Sequence, residues 1–246
     1  MTERPPMPEV APPVWDNIPP ELAARAQWVL WRFEWPIPKA GKAGPKKWQK
    51  VPYYCRGGRR QGGQGSDSDR ERLVTLDVIR RRFEKAGPQR LRAASQEGAD
   101  EEWDGFAGVG LGFLPDDGLI GIDIDNAIDQ ETGEFSQRCL GIVEACQSFT
   151  EFSPSGKGCH IYVLGKTETA KSNDIGVEMF CGRQFFTVTG RLWPGAPSTL
   201  TPISPLAIEG LHAMIDKAKD DRRAASSKSG QAAASPAGRS PRGPRS

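Results

Sequence analysis

Along this chain the apolar residues pass from irregular to periodic spacing and back, and the periodic stretches predict short strands with a few amphipathic helices between them. A short helix opened by Pro20 leads into Gln27 to Trp35, an aromatic and branched run that reads as a strand. A glycine-studded loop follows. Leu76, Ile79 and Phe83 then recur at helical spacing, with Thr75 as N-cap and Gly87-Pro88 as the stop, which predicts a helix over 76–86. After a polar, acidic loop reaching Asp104, period-two alternation from Ala107 to Leu114 and from Leu119 to Asp125, around Pro115-Asp116-Asp117-Gly118, predicts a β-hairpin. A helix over 137–147 starts at Ser136 and presents Leu140, Val143 and Cys146. Strands are predicted over 160–164, 176–180 and 184–189. The last helix begins at Ser204-Pro205 and shows Ile208, Leu211 and Ile215 on one side. Strands dominate the middle and helices flank them without regular alternation, which is an α+β pattern.

Composition adds boundaries to this picture. Residues 1–13 are proline-rich and residues 221–246 hold almost nothing apolar, so both ends are expected to be disordered around one domain over 14–220. No repeat or linker divides that domain. No apolar run approaches the roughly 18 residues of a membrane span, and the start lacks the pattern of a secretory signal, so a cytoplasmic address is expected. The five cysteines are scattered and odd in number, which predicts neither a disulfide framework nor a zinc site; Cys139 and Cys146 lie on one helical face and read as packing residues.

The net charge of +2 hides an uneven distribution. Between Trp35 and Ser66 stand Lys39, Lys42, Lys46, Lys47, Lys50, Arg56, Arg59 and Arg60 with no acidic residue, and after Asp221 only positive charges occur. Both stretches suit a polyanion; a solvated loop and a solubilising tail are the alternative.

Chemistry concentrates in the middle. In Gly121-Ile122-Asp123-Ile124-Asp125 the isoleucines face the core while both carboxylates share the other face, about 7 Å apart, an arrangement that invites a cation between them. The alternative is that the strand ends here and the aspartates begin a turn with Asn126. Ser153 to His160 places Ser155 and a glycine-flanked Lys157 in a bend before a strand, where successive N–H groups can cradle an anion. It is not a Walker A loop, since a strand follows it. His160 opens that strand and can either cap it or donate to a phosphate, whereas His212 stands alone on the final helix. Glu178, between Val177 and Met179, points away from the core side and can meet Asp123 and Asp125 on one face. Three carboxylates suit magnesium or manganese. Arg183 is placed to reach toward the same face. Gly108, Gly110 and Gly112 leave one strand face bare, either to admit a base or sugar or to pack tightly against a helix.

In this order, Asp123-Ile124-Asp125, then Ser155-Gly156-Lys157-Gly158-Cys159-His160, then a strand bearing Glu178 resemble the three motifs of the archaeo-eukaryotic primase superfamily. The likeness is closest to the primase-polymerase domains of bacteriophage and plasmid replication proteins. It extends over about residues 14–200 through Trp28-Val29-Leu30-Trp31, Lys50-Val51-Pro52-Tyr53, Thr150 to Ser155, and Phe185 to Gly190. The resemblance implies a catalytic core built on an RRM-like antiparallel sheet. It implies a two-metal DNA primase or polymerase, with Asp123, Asp125 and Glu178 holding magnesium or manganese. Ser155, Lys157 and His160 would contact the triphosphate, with Lys50 and Arg183 as further phosphate contacts. The implied partners are a DNA template and primer, ribo- or deoxynucleoside triphosphates, and a replicative helicase. Two departures stand out: Thr75-Leu76 replaces a Thr-Trp pair, and a basic tail stands where a helical domain often follows. A metal-dependent nuclease and a non-catalytic single-strand-binding module remain the rival readings.

Overall fold

The longer strands, most of them buried on both faces, pair into two antiparallel sheets, and the computed structural model describes the chain over residues 4–36, 47–91 and 103–233. In chain order the elements are α1 (Pro20–Ala23), β1 (Trp28–Glu34), β2 (Gln49–Tyr53), α2 (Asp67–Arg70), α3 (Leu76–Ala86), β3 (Arg90–Leu91), β4 (Trp103–Asp104), β5 (Gly108–Gly112), β6 (Leu119–Ile124), α4 (Gln137–Cys146), β7 (Thr150–Phe152), β8 (Cys159–Leu164), β9 (Ala170–Ser172), β10 (Val177–Phe180), β11 (Phe185–Val188) and α5 (Pro205–Ala233). The first sheet has the order β11-β5-β1-β2, the second β7-β8-β6-β10-β9, and β3 pairs with β4 alone. The architecture is α+β with antiparallel sheets, as the lack of regular strand–helix alternation implies. Lys39, Lys42 and Lys46, the acidic loop ahead of Trp103, and residues 234–246 lie outside the described residues.

The two faces of the second sheet have different neighbours. Ile120, Ile122, Ile124, Ile161, Val163, Val177 and Met179 pack with Cys139, Ile142 and Cys146 of α4 and Leu211 and Ile215 of α5. The opposite side meets the first sheet, where Trp28, Leu30, Val109, Leu111, Phe113, Tyr162 and Phe186 form a second core with Ile79 and Phe83 of α3. Gly121 makes this inter-sheet contact close: a Cβ there would lie 2.6 Å from ring atoms of both Phe113 and Phe186. Gly121→Ala is therefore expected to cost about 1–3 kcal/mol through overpacking, read as a lower denaturation midpoint at unchanged m-value.

The predicted hairpin is not formed. β5 is flanked by β1 and β11 and β6 by β8 and β10, so both edges of each strand are filled by other partners. The turn is closed by a side chain instead of a ladder: Asp117 accepts from the backbone N–H of Leu114 (2.8 Å) and Leu119 (3.0 Å) and from the Gln27 amide (2.7 Å). The chain thereby crosses from one sheet to the other. The glycine face of β5 is not bare either. Positions for a Cβ on Gly108, Gly110 and Gly112 are taken by the Trp31 indole, Phe185 with the Phe186 carbonyl, and the Arg60 guanidinium.

Other expectations shift at the edges. The loop after Trp35 contains β2, an edge strand that tolerates Pro52. On α4 the buried stripe is Cys139, Ile142 and Cys146, and Leu140 is exposed. Residues 4–13 have no regular structure yet are laid on the body: Met7 and Val10 pack by Trp31, Phe33 and Trp48, and the Trp48 indole donates to the Pro5 carbonyl. Beyond Asp221, where disorder was expected, α5 continues to Ala233. Pairs between Lys217 and Asp221, Lys219 and Asp216, and Arg223 and Asp220, with Ala224 and Ala225, favour helix there, and residues 221–226 are exposed. All five cysteines are free, with Cys139, Cys146 and Cys159 buried, and burial pushes the Cys146 thiol up to about 12. Among the described residues no helix is long and apolar enough to cross a membrane.

Candidate active site

One row of side chains crosses the whole second sheet. Lys171 on β9, Glu178 on β10, Asp123 on β6, His160 on β8 and Glu151 on β7 are successive cross-strand partners, and directly opposed residues share a face. Three strands thus bring together Glu178, Asp123 and His160, far apart in sequence. Asp125 lies just past the end of β6, in the turn with Asn126 at φ 51°, so both readings of this segment hold in part: Asp123 is a strand residue and Asp125 a turn residue. Asp125 is held by its backbone, donating to the Gly176 carbonyl at 2.8 Å. On its other side Gly158 of the bend approaches so closely that a Cβ would sit 2.4 Å from the Ile124 carbonyl oxygen. The glycine after Lys157 is therefore a packing requirement that draws the bend to the acidic strand end.

Like charges directly opposed on a sheet are unfavourable, and the titration of the site reflects it. Desolvation, reinforced by Asp123, raises the Asp125 carboxyl above the ordinary carboxylate range against the pull of Lys50, Lys47 and His160. Desolvation also raises Glu178, with Lys171 opposing and Asp123 and Asp125 adding to the rise. Lys50, on edge strand β2, is lowered because desolvation at its ammonium outweighs attraction to Asp123 and Asp125. Two lysines of the basic segment, Lys47 and Lys50, thus act on the acids from the first sheet.

The rest of the basic segment divides. Arg59, its side chain half exposed, hydrogen-bonds Glu34, and Arg60 is buried in an ion pair with Asp69, so Arg60 is not open to a polyanion. Ser155 and Lys157 are exposed in the bend, where the Ser155 hydroxyl lies 3.1 Å from that of Ser153 and accepts from the Lys157 N–H at 3.3 Å. Arg183 does not join the acids. Positive φ at Gly182 (79°) and Arg183 (53°) turns the chain, and the exposed Arg183 lines an open cavity with Gly62, Gly63, Gln64, Gly65 and Ser66.

His160 is buried and its Nδ1 lies 2.9 Å from the Thr187 carbonyl, while Nε2 lies 3.7 Å from Asp123 Oδ1. The glutamate behind it, Glu151, carries no signal of its own in the sequence beyond period-two alternation and its place in the Thr150 to Ser155 run. Among the described residues no group of three or more His, Cys, Asp or Glu side chains is placed close enough to hold a metal ion as it stands. What exists is an open set of three carboxylates, Asp123 and Glu178 opposed across two strands and Asp125 at the end of β6. That donor chemistry fits magnesium or manganese, which favour oxygen and usually complete their shells with water and substrate phosphates.

Because both raised carboxyls titrate higher in the folded chain, the folded state holds extra protons from about pH 4, the unfolded value, up to the raised values. Stability without divalent cation should therefore fall as pH rises through that window, the loss being complete above it. Added manganese is expected to raise the melting temperature more at pH 7 than at pH 5. A pH-independent increment, or none, would count against a cation at these carboxylates.

No protein-family model matches the chain. It is 24% identical over 180 residues to the DNA primase-polymerase of Nitratiruptor phage NrS-1, a stretch that covers 71% of this chain and 20% of the phage protein. The chain thus spans about a fifth of that relative's length. The similarity is distant and supports a relationship to a phage primase-polymerase over most of the chain described above.

Proposed function

We propose that this chain is a primase-polymerase catalytic domain that extends or initiates strands on a DNA template by nucleotidyl transfer, with the second sheet as its RRM-like core. The observation that carries the reading is the in-register set of Glu178, Asp123 and His160 across three strands, with Asp125 at the strand end against the glycine bend. The similarity to a phage DNA primase-polymerase supports the same reaction class.

Asp123, Asp125 and Glu178 would hold two magnesium or manganese ions, which neutralise triphosphate charge and make a 3′-hydroxyl a better nucleophile. Lys47 and Lys50 bring positive charge to the same acids from the facing sheet and suit the incoming phosphates. Ser155 and Lys157 offer a hydroxyl and an ammonium at the exposed bend. His160, fixed at Nδ1, presents Nε2 on the acidic side as a contact for the nucleotide. The reaction joins the 3′-oxygen of a strand, or of a first nucleotide, to the α-phosphorus of the incoming triphosphate, and pyrophosphate leaves. Template, primer and nucleoside triphosphates are its partners.

An assay with a labelled primer on a DNA template, manganese and each nucleotide type tests this, alongside a reaction lacking nucleotides. Nucleotide-dependent lengthening is expected. Shortening without nucleotides would mark a nuclease, and binding without either change a non-catalytic module.

A further inference from the structure

Glu151 is completely buried, and a carboxylate so placed needs several donors to offset its lost hydration. Its Oε2 accepts from the backbone N–H groups of Thr189 (3.0 Å) and Gly190 (2.7 Å), and its Oε1 accepts from the Tyr162 hydroxyl (3.1 Å). Those bonds explain how the charge is tolerated but not why Oε1 also lies 3.6 Å from His160 Nδ1. The same nitrogen is 2.9 Å from the Thr187 carbonyl, which accepts from Tyr162 as well, at 3.2 Å. The Thr187 carbonyl only accepts, so its hydrogen bond puts the proton of the neutral ring on Nδ1, and the Glu151 carboxylate favours the same side, offsetting Asp123 Oδ1, 3.7 Å from Nε2. On its flank the ring meets Phe186, centroids 5.1 Å apart. The imidazole is therefore gripped from behind by β7 and β11, one strand from each sheet, with Nε2 left toward Asp123.

We infer that Glu151 is a positioning residue for the proposed active site: with the Thr187 carbonyl it fixes the Nδ1–H tautomer and the orientation of His160, so that Nε2 faces the incoming nucleotide as an acceptor for one of its hydroxyl or amino hydrogens. The inference rests on the reading of the site given under Proposed function, but its first test does not require catalysis. Glu151→Gln keeps the shape. Its amide oxygen must remain at the Oε2 position to serve Thr189 and Gly190, so the NH2 takes the Oε1 position and donates toward Nδ1, favouring the other tautomer.

The chain has two histidines, so ring-nitrogen NMR of protein labelled in histidine can be read directly, with His212→Gln assigning the pair. The wild-type protein is expected to carry the His160 proton on Nδ1, and Glu151→Gln to move population to Nε2–H. A wild-type proton on Nε2, or a tautomer unchanged by the substitution, overturns the inference; the first outcome needs no variant to fold. In primer extension, Glu151→Gln should raise the nucleotide KM about tenfold with a smaller effect on kcat. In a His160→Ala background the same substitution should change KM less than about twofold, since the group it acts through is gone. Multiplying effects would overturn the positioning role. If no variant or wild-type protein extends primers, the polymerase reading fails while the NMR result still decides what Glu151 does to His160.

Discussion

Replacing Asp123 with asparagine is expected to reduce nucleotide incorporation by about a thousandfold or more while leaving the protein as stable as before, or more so. Asp123 is opposed to Glu178 on one side and lies one residue from the Asp125 turn, and both neighbours have raised carboxyls. Removing the middle charge relieves a like-charge contact worth about 0.2–1 kcal/mol, partly offset by the loss of the Asp123 carboxylate beside His160. In a chain of this size that corresponds to a rise of up to about 4 °C in melting temperature without divalent cation. Activity and stability should thus move in opposite directions, which a general packing defect would not produce. Primer extension combined with a melt in chelator reads both. Incorporation near the wild-type rate would remove Asp123 from the chemistry, and a melting temperature several degrees lower would show the carboxylate to be structural.

Asp69→Ala should give the largest loss of stability. Asp69 and Arg60 are both buried, joined by two bonds of 2.9 and 2.8 Å, and the carboxylate also accepts from the Tyr54 hydroxyl (2.8 Å) and the Gly65 N–H (2.7 Å). Burial alone would raise this carboxyl, but the bonds from Arg60, Gly65 and Tyr54 prevail and hold it below the ordinary range. Truncation leaves a guanidinium uncompensated beneath Gly112, with a cost of about 3–5 kcal/mol. Chemical denaturation at neutral pH measures it; a loss below about 1 kcal/mol would mean that water replaces the carboxylate at little cost. The depressed carboxyl adds a sign: its stabilisation is present above about pH 4 and is lost as pH falls through the folded value.

Legibility in the sequence followed the range of the interaction. The stripes of α3 and α5 and the alternation in β6, β8 and β10 are local, and the structure has those elements close to where periodicity puts them. Pairing is not local. The alternating runs either side of Pro115 carry the pattern of a hairpin, yet β1, β8, β10 and β11 compete for the same edges and win. In the site, Asp123, Asp125, Glu178 and His160 announced themselves as polar residues in apolar company. Glu151 is equally polar in equally apolar company, but its meaning lies in the Thr189 and Gly190 amides and the Tyr162 hydroxyl, which sequence spacing does not bring near. Arg183 stands with Gly62 to Ser66 because left-handed backbone at Gly182 and Arg183 turns the chain there, which its place ahead of the last strand does not announce. Arg60 failed because a charge run does not reveal which of its members has a buried partner.

The Asp117 crossing between the sheets also decides which end of the two layers is tied together. Gln27, immediately ahead of β1, donates both to Asp117 and to the Gly112 carbonyl at 2.7 Å, while Arg25 donates to the Asp117 carbonyl. A connector clamped to both layers in this way behaves as a fixed pivot. The acids at the end of β6 and Lys50 near the start of β2 lie at the end of the layers remote from this pivot.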